Sequence, residues 1–254
     1  MWRAGPVSTV SAAALRRLRE ANDLYPLVIH DSYLINLGSS DPVIRPKSIA
    51  AFRGEIERAL AIGAEHLVFH PGSGKNDSRE ATISRVAEGM REAARGLSGS
   101  LTLLIENTAG QGAVLGSTLE EQAEIRSQAQ AGLDFEVGFC LDTCHSFAAG
   151  YDVASEAGFE IFVQGAEAIL GLERVAVIHV NDSKGSLGSH LDRHEHIGEG
   201  LIGAAAFGRI LNHPKLTNKA FILETPVDDG DPSRDVNKLK ELCRKSPTVR
   251  KISK

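Results

Sequence analysis

Three cysteines in 254 residues are too few, and too odd in number, for a disulfide framework. Cys140, Cys144 and Cys243 instead suggest a reducing, cytoplasmic setting. No apolar run approaches the roughly 20 residues that a membrane helix needs. The opening residues also lack the basic, apolar and small-residue pattern of a secretory signal. A membrane partner is therefore not expected. A basic excess is missing too: the formal charge is −5, which argues against a protein that holds a polyanion by its own side chains. Three bound dications would change that sum to about +1 and put positive charge where a phosphate must sit. A dinucleotide fingerprint is likewise absent. The glycines of ENTAGQGAVLG have the wrong spacing, and Glu106 occupies the strand end that a pyrophosphate would approach.

What the chain does have is one construction repeated. The stretch from Val137 to Asp152, VGFCLDTCHSFAAGYD, is an apolar run suited to a buried parallel strand, and it ends in Asp142 and His145. A carboxylate and an imidazole three apart at a strand end can serve as ligands for a zinc-like metal. Alone, such a turn is ordinary. Five further apolar runs end the same way: LVIH at His30, HLVFH at His70, LTLLIE at Glu106, VAVIHVND at His179 and Asp182, and AFILE at Glu224. Helical patterns separate them, so the chain consists of βα units whose parallel strands bring all six ends to one rim. In a (β/α) barrel that rim carries the active site. With 42% hydrophobic and 24% charged residues, the chain can bury one sizeable core, and a single domain over residues 1–254 is expected.

The segments between the strands carry helix signals: residues 8–20, 41–61, closed by Gly63, 78–95, 118–131, 203–211 and 235–243. A basic tail follows the last. Behind His30, the loop DSYLINLG sets Tyr33, Leu34 and Ile35 at the catalytic rim, either buried under a neighbouring loop or acting as a wedge for a nucleic-acid stack. His66 falls on the opposite rim and is structural. The turn PGSG after His70 fixes that histidine and offers backbone N–H groups to an anion. Residues 178–200 are the densest polar stretch, with Asp182, His190, Asp192, His194 and His196. Asp192 and His194 could chelate one ion, while Lys184 and Arg193 offer charge for phosphate. His190 and His196 are expected to be solvated or supporting, and this glycine-rich loop to be mobile.

The motifs HDSYLINLG, FHPGSG, IENTAGQG, LDTCHSFAAGYD, HVNDSK, DRHEHIGEG and LETP closely resemble the endonuclease IV family of apurinic/apyrimidinic endonucleases, over nearly the whole chain. The resemblance implies a TIM-type (β/α) barrel and a zinc-dependent DNA-repair hydrolase that cuts 5′ of abasic sites in double-stranded DNA. It also implies three zinc ions, with manganese an alternative at one or more positions. His30, His70 and Glu106 would hold the first. Glu106, the catalytic bridge, would share the second with Asp142, His179 and Glu224, and His145, Asp192 and His194 would hold the third. Asp182 then drops out of the ligand set. Tyr33, Leu34 and Arg193 would touch DNA, and the chain would act as a monomer. Phosphodiester hydrolysis needs an activated attacking oxygen, a stabilised pentacovalent phosphate and a neutralised alkoxide, tasks that a metal cluster can divide without a protein nucleophile. Cys144 would then only pack.

The family barrel has eight strands and six are recognisable here, so the first two βα units are expected to be missing, with a loss of stability and activity. Two other readings compete. A sugar isomerase or epimerase would hold one divalent ion with Glu106, Asp142, His179 and Glu224 but has no use for the third set. A non-catalytic remnant would bind metal or DNA weakly.

Overall fold

The computed structural model describes residues 5, 7–75, 77–227, 230–231 and 233–243. The basic tail and most of the WRAGP stretch lie outside them. Six parallel strands form one sheet in the order β1 (Val28–His30), β2 (His66–Phe69), β3 (Thr102–Glu106), β4 (Glu136–Asp142), β5 (Val175–His179) and β8 (Ala220–Ile222). A separate antiparallel pair, β6 (Asp182–Ser183) with β7 (His194–Glu195), stands beyond β5. Neighbouring strands of the large sheet follow each other in sequence and are joined by helices, as βα units require. Among the described residues β1 and β8 are the two edges, so the sheet is a half-barrel of six strands, as the sequence led us to expect.

Alternation along each strand divides the apolar side chains between two cores. The larger lies between the sheet and its helices α2 (Ile44–Ile62), α3 (Arg79–Ala94), α4 (Leu119–Gln130) and α6 (Glu156–Ile169), and includes Phe52, Phe69, Leu103, Ile105, Val137 and Phe159. The Phe52 and Phe69 rings meet at 5.0 Å and 57°, a tilted contact worth about 1 kcal/mol beyond its buried area. A smaller core on the concave face contains Val68, Leu104, Cys140 and Val177, with Val28 and Ile222 against it. Two residues further along these strands, on the same face, come His30, His70, Glu106, Asp142, His179 and Glu224. The strand period itself therefore stacks a ligand layer on an apolar one.

Several helices start where their capping residues dictate. Ser8, Ser78, Thr118 and Ser155 each accept the N–H three residues on, at the heads of α1 (Thr9–Ala21), α3, α4 and α6. Each such cap contributes about 1 kcal/mol. Asp41 takes the N–H groups of Val43 and Ile44, so α2 begins three residues later than its pattern suggested. Gly63 ends α2 at φ 72°. α8 (Ser233–Leu242) begins two residues before the expected start, and α7 (Ala204–Asn212) crosses the gap between β7 and β8. The strand-to-loop junction expected after Asp142 is a helix, α5 (Thr143–Ala149), capped by the Asp142 carboxylate. Gly138 lets β4 pass close to the turn before β5, because a Cβ there would sit 2.6 Å from the Arg174 carbonyl oxygen. No described helix is long and apolar enough to cross a membrane.

Candidate metal centre

The six strand-end residues and the loop pair Asp192 and His194 converge around Glu106, whose carboxylate is fully buried. Its two oxygens face different partners. Oε2 lies 2.8 Å from His30 Nε2 and 3.6 Å from His70 Nε2, while Oε1 lies 2.8 Å from His179 Nδ1 and 3.5 Å from His145 Nδ1. Glu224 Oε2 approaches the same His179 nitrogen at 3.1 Å. His145 Nε2 lies 3.2 Å from Asp192 Oδ1, and His194 Nε2 lies 3.4 Å from that oxygen and 3.7 Å from Asp142 Oδ2. Among the described residues, five groups have ligand atoms within 4.8 Å of one another. Three of them use no cysteine, namely His30, His70 and Glu106; Glu106, Asp142, His179 and Glu224; and His145, Asp192 and His194. The other two add Cys140 to Glu106 and His179, and Cys144 to Asp142 and His194.

Charge in this cavity is mutually dependent. Burial alone would raise the Glu106 carboxyl, but the imidazoles of His70, His179 and His145 hold it well below the usual carboxylate range. Burial would lower His30, yet its bond to Glu106 lifts it to about 9. His145 and His179 are also raised against burial, His145 mainly by Asp142 and Asp192 and His179 by Cys140 and Glu106. Asp192 is lowered to about 2 by its bond to His145. His70 is the exception, because burial depresses it and leaves a neutral imidazole ready to ligate.

Whether these residues suit a metal can be judged from atoms the protein leaves unpaired. Buried His194 Nε2 and His70 Nδ1 have no hydrogen-bond partner, a costly condition that a bound cation relieves at the first. The outer nitrogens of the ligand candidates are held: His30 Nδ1 by Asp31 O at 2.9 Å, His145 Nδ1 by Asn107 O at 3.0 Å, and His194 Nδ1 by Glu224 O at 3.0 Å. These carbonyls accept Nδ1–H and turn each Nε2 to the cavity, as outer partners of metal-bound histidines do. Nitrogen and carboxylate donors in this mixture fit zinc or a similar divalent ion.

The model of the xylose isomerase-like TIM barrel family matches residues 2–246. A probable endonuclease 4 of Solibacter usitatus is 54% identical over 245 residues, 96% of this chain and 84% of the relative. The crystal structure of endonuclease IV from Thermus thermophilus superimposes with a TM-score of 0.81 at 40% identity, over 95% of this chain and 83% of that one. The chain belongs to the endonuclease IV family. A D-tagatose 3-epimerase-like protein, at 22% identity and a TM-score of 0.65 over 92% of this chain and 83% of its own, shares the fold.

As an endonuclease IV family member the chain places the remaining sequence candidates differently. Tyr33 is 86% exposed and borders a cleft of about 290 Å³ together with His70, Gly72, His145 and Asp192. Its neighbour Leu34 is half-buried, and Ile35, buried against the outer core, lines the same cleft. Arg193 lies beside the ligand pair with its guanidinium on the Asp192 carbonyl. The Ser73 N–H, expected to be open to an anion, donates to Asn36 Oδ1 at 2.9 Å. His66 stands on the opposite rim at the start of β2.

Asp182, excluded from the ligands, is a structural carboxylate. It accepts the N–H groups of Ser183, Gly198, Gly200, Ile202 and Gly203. Gly200 is required there, since a Cβ would meet Asp182 Oδ1 at 2.5 Å. With the β6–β7 pairing, this network ties down the stretch expected to be a mobile loop. His196 is buried and not solvated: its Nδ1 lies 2.7 Å from Asp235 Oδ2 on α8. Burial pushes the Cys144 thiol up to about 11 and the Cys140 thiol up to about 12, so both stay protonated at neutral pH.

Two supporting asparagines escaped the sequence reading. Asn107 accepts the Asp142 N–H at 2.6 Å and donates to Ser146 Oγ, while Asn181 donates to Asp142 Oδ2 at 2.5 Å and accepts the Glu224 N–H at 2.7 Å. Each fixes a ligand on a neighbouring strand. The available signal was an amide residue just past a ligand-bearing strand end.

Proposed function

We propose that this chain is a metal-dependent endonuclease that hydrolyses the DNA phosphodiester 5′ of an abasic site, with three zinc ions held by the nine side chains of the three groups. The observation that carries this reading is the division of Glu106 between two groups through its two oxygens, with a third group completed by His145, Asp192 and His194. A single-ion isomerase has no use for that third group. When bound, such ions supply the concentrated positive charge that a phosphodiester and its departing alkoxide require.

The protein's own part is to position and to exclude. The carbonyls behind His30, His145 and His194 fix which imidazole nitrogen faces the substrate side. Asn107 and Asn181 hold the Asp142 strand end, so the groups keep their spacing as substrate enters. The apolar floor of Val68, Leu104 and Val177 keeps water from below, which strengthens every charge interaction above it. Tyr33, exposed at the cleft edge, is suited to fill the gap left by a missing base.

The test joins metal counting with cleavage. Purified protein should hold three ions per chain and cut a duplex with one abasic site on its 5′ side. Glu106→Gln should keep the fold and lose cleavage by about 10³-fold or more, because the amide cannot serve two cationic groups at once. One ion per chain with no cutting would favour the isomerase reading, and near-normal turnover in the variant would remove the bridging role.

A further inference from the structure

Asp235 stands in the first turn of α8 and belongs to none of the ligand groups, yet its buried carboxylate is engaged by two segments that carry ligands. Oδ2 lies 2.7 Å from both the Thr225 hydroxyl and His196 Nδ1, and Oδ1 lies 2.9 Å from the Ile197 N–H. A carboxylate oxygen can only accept, so all three groups donate to it. Burying the carboxylate demands such a set of donors. The donors come from the stretch after β8 and the stretch after β7, so one side chain on a helix joins two strand ends.

Both strand ends need a tie from outside the large sheet. Glu224 lies two residues past Ile222, the last residue of β8 in register with β5, and β8 is an edge among the described residues. Its backbone N–H is held at 2.7 Å by Asn181 Oδ1, and Thr225 makes the tie on its other side. His194 stands on the two-residue β7, and the bonds to Asp182 begin at Gly198, four residues on. Between them, His196 and Ile197 are drawn to α8. The Glu224 carbonyl also accepts the His194 Nδ1–H at 3.0 Å. A ring of contacts thus runs from Glu224 through Thr225, Asp235 and His196 back to His194. Glu224 belongs to the group of Glu106, Asp142 and His179, and His194 to that of His145 and Asp192.

We propose that Asp235 is a positioning residue of the metal centre: from α8 it sets the spacing between Glu224 and His194, and so between two of the three metal groups. The inference rests on the metal-centre reading above and gives the last described helix a task in it. Outer partners that touch a ligand directly change metal affinity about 10- to 100-fold when removed. Here the tie passes through one or two residues of backbone, so the lower end, about 10-fold, is expected. A carboxylate that merely fastens α8 to the sheet makes the same bonds and differs in what their loss does.

Asp235→Ala, Thr225→Val and Thr225→Ser separate the roles. Alanine removes the whole tie, valine keeps the shape of threonine without its hydroxyl, and serine keeps the hydroxyl. Thermal unfolding in excess chelator first shows which variants fold without metal, and zinc titration of the folded ones against a competing chelator then measures affinity. Positioning predicts one zinc equivalent weakened about 10-fold in Thr225→Val and two in Asp235→Ala, with Thr225→Ser within about threefold of wild type. A helix anchor alone predicts that Asp235→Ala melts lower in chelator while all three equivalents keep wild-type affinity, and that Thr225→Val is silent. If Asp235→Ala does not fold, the two Thr225 variants decide. Wild-type affinity in Thr225→Val, or a Thr225→Ser as weak as Thr225→Val, overturns the proposal and leaves the metal reading intact. A wild-type protein that binds no zinc overturns both.

Discussion

Replacing Asp182 by asparagine tests whether a buried carboxylate beside the metal ligands serves the fold and not the ions. Its oxygens take five backbone N–H groups at 2.8–3.2 Å, from Ser183 and from Gly198 to Gly203. Asparagine retains one oxygen and turns an NH₂ toward two or three of these donors. Each lost bond to a charged acceptor costs about 1.5–3 kcal/mol, and partial relaxation brings the total to about 3–4 kcal/mol. Against a total stability of about 5–15 kcal/mol this is a large fraction, and for a domain of this size it lowers the melting temperature by about 10 °C. The assay is thermal unfolding of wild type and Asp182→Asn, each run with excess zinc and with excess chelator. A structural carboxylate gives the same deficit in both conditions, because the N–H groups are orphaned whether or not metal is present. If the deficit vanishes in chelator, or if the variant melts within about 2 °C of wild type, the structural assignment is wrong.

Tyr33→Ala should weaken binding to abasic duplex by about 1–3 kcal/mol while leaving intact-duplex affinity and zinc content unchanged, because the ring is exposed and belongs to none of the ligand groups. Fluorescence anisotropy with both duplexes checks this, and equal losses on the two would mark the tyrosine as a general contact. In metal-free protein, His30 is raised to about 9 from 6.5, so its stabilising contribution is complete below pH 6.5 and is lost as pH rises through 9. Asp192, lowered to about 2 from 3.8, contributes above 3.8 and loses its share as pH falls toward 2. Chelated protein should therefore melt lower at about pH 9.5 than at pH 7, whereas zinc-loaded protein should not, since metal binds the unprotonated imidazole. A chelated protein whose melting temperature is flat or rising over that window would contradict the assignment.

The ligand layer was legible because strand periodicity and residue type coincide: an apolar residue, then a His, Asp or Glu two positions on, recurs at six strand ends. Motif resemblance then divided those residues into groups and removed Asp182, which spacing alone had admitted. What escaped was set by contacts distant in sequence. His196 stayed open between a solvated and a supporting histidine because nothing near it announces Asp235 on α8. The β6–β7 pairing joins two two-residue strands across a glycine-rich loop, too short for any alternation to register. α5 was hidden because its first turn is the ligand motif itself, with Asp142 both capping the helix and facing the cavity.

The strand-end ligands lie on six different strands, so successive ones are separated by a complete βα unit along the chain. No short fragment contains a usable group, and no local turn can preform one. Ion capture thus acts as a checksum on topology, because each coordination shell closes only after the crossovers that join its own strands have wound correctly and their registers match. A misregistered strand would present its apolar neighbour where a ligand belongs. Such a chain would remain empty, and its inability to retain zinc would distinguish it from the native molecule even if both were equally helical and equally compact.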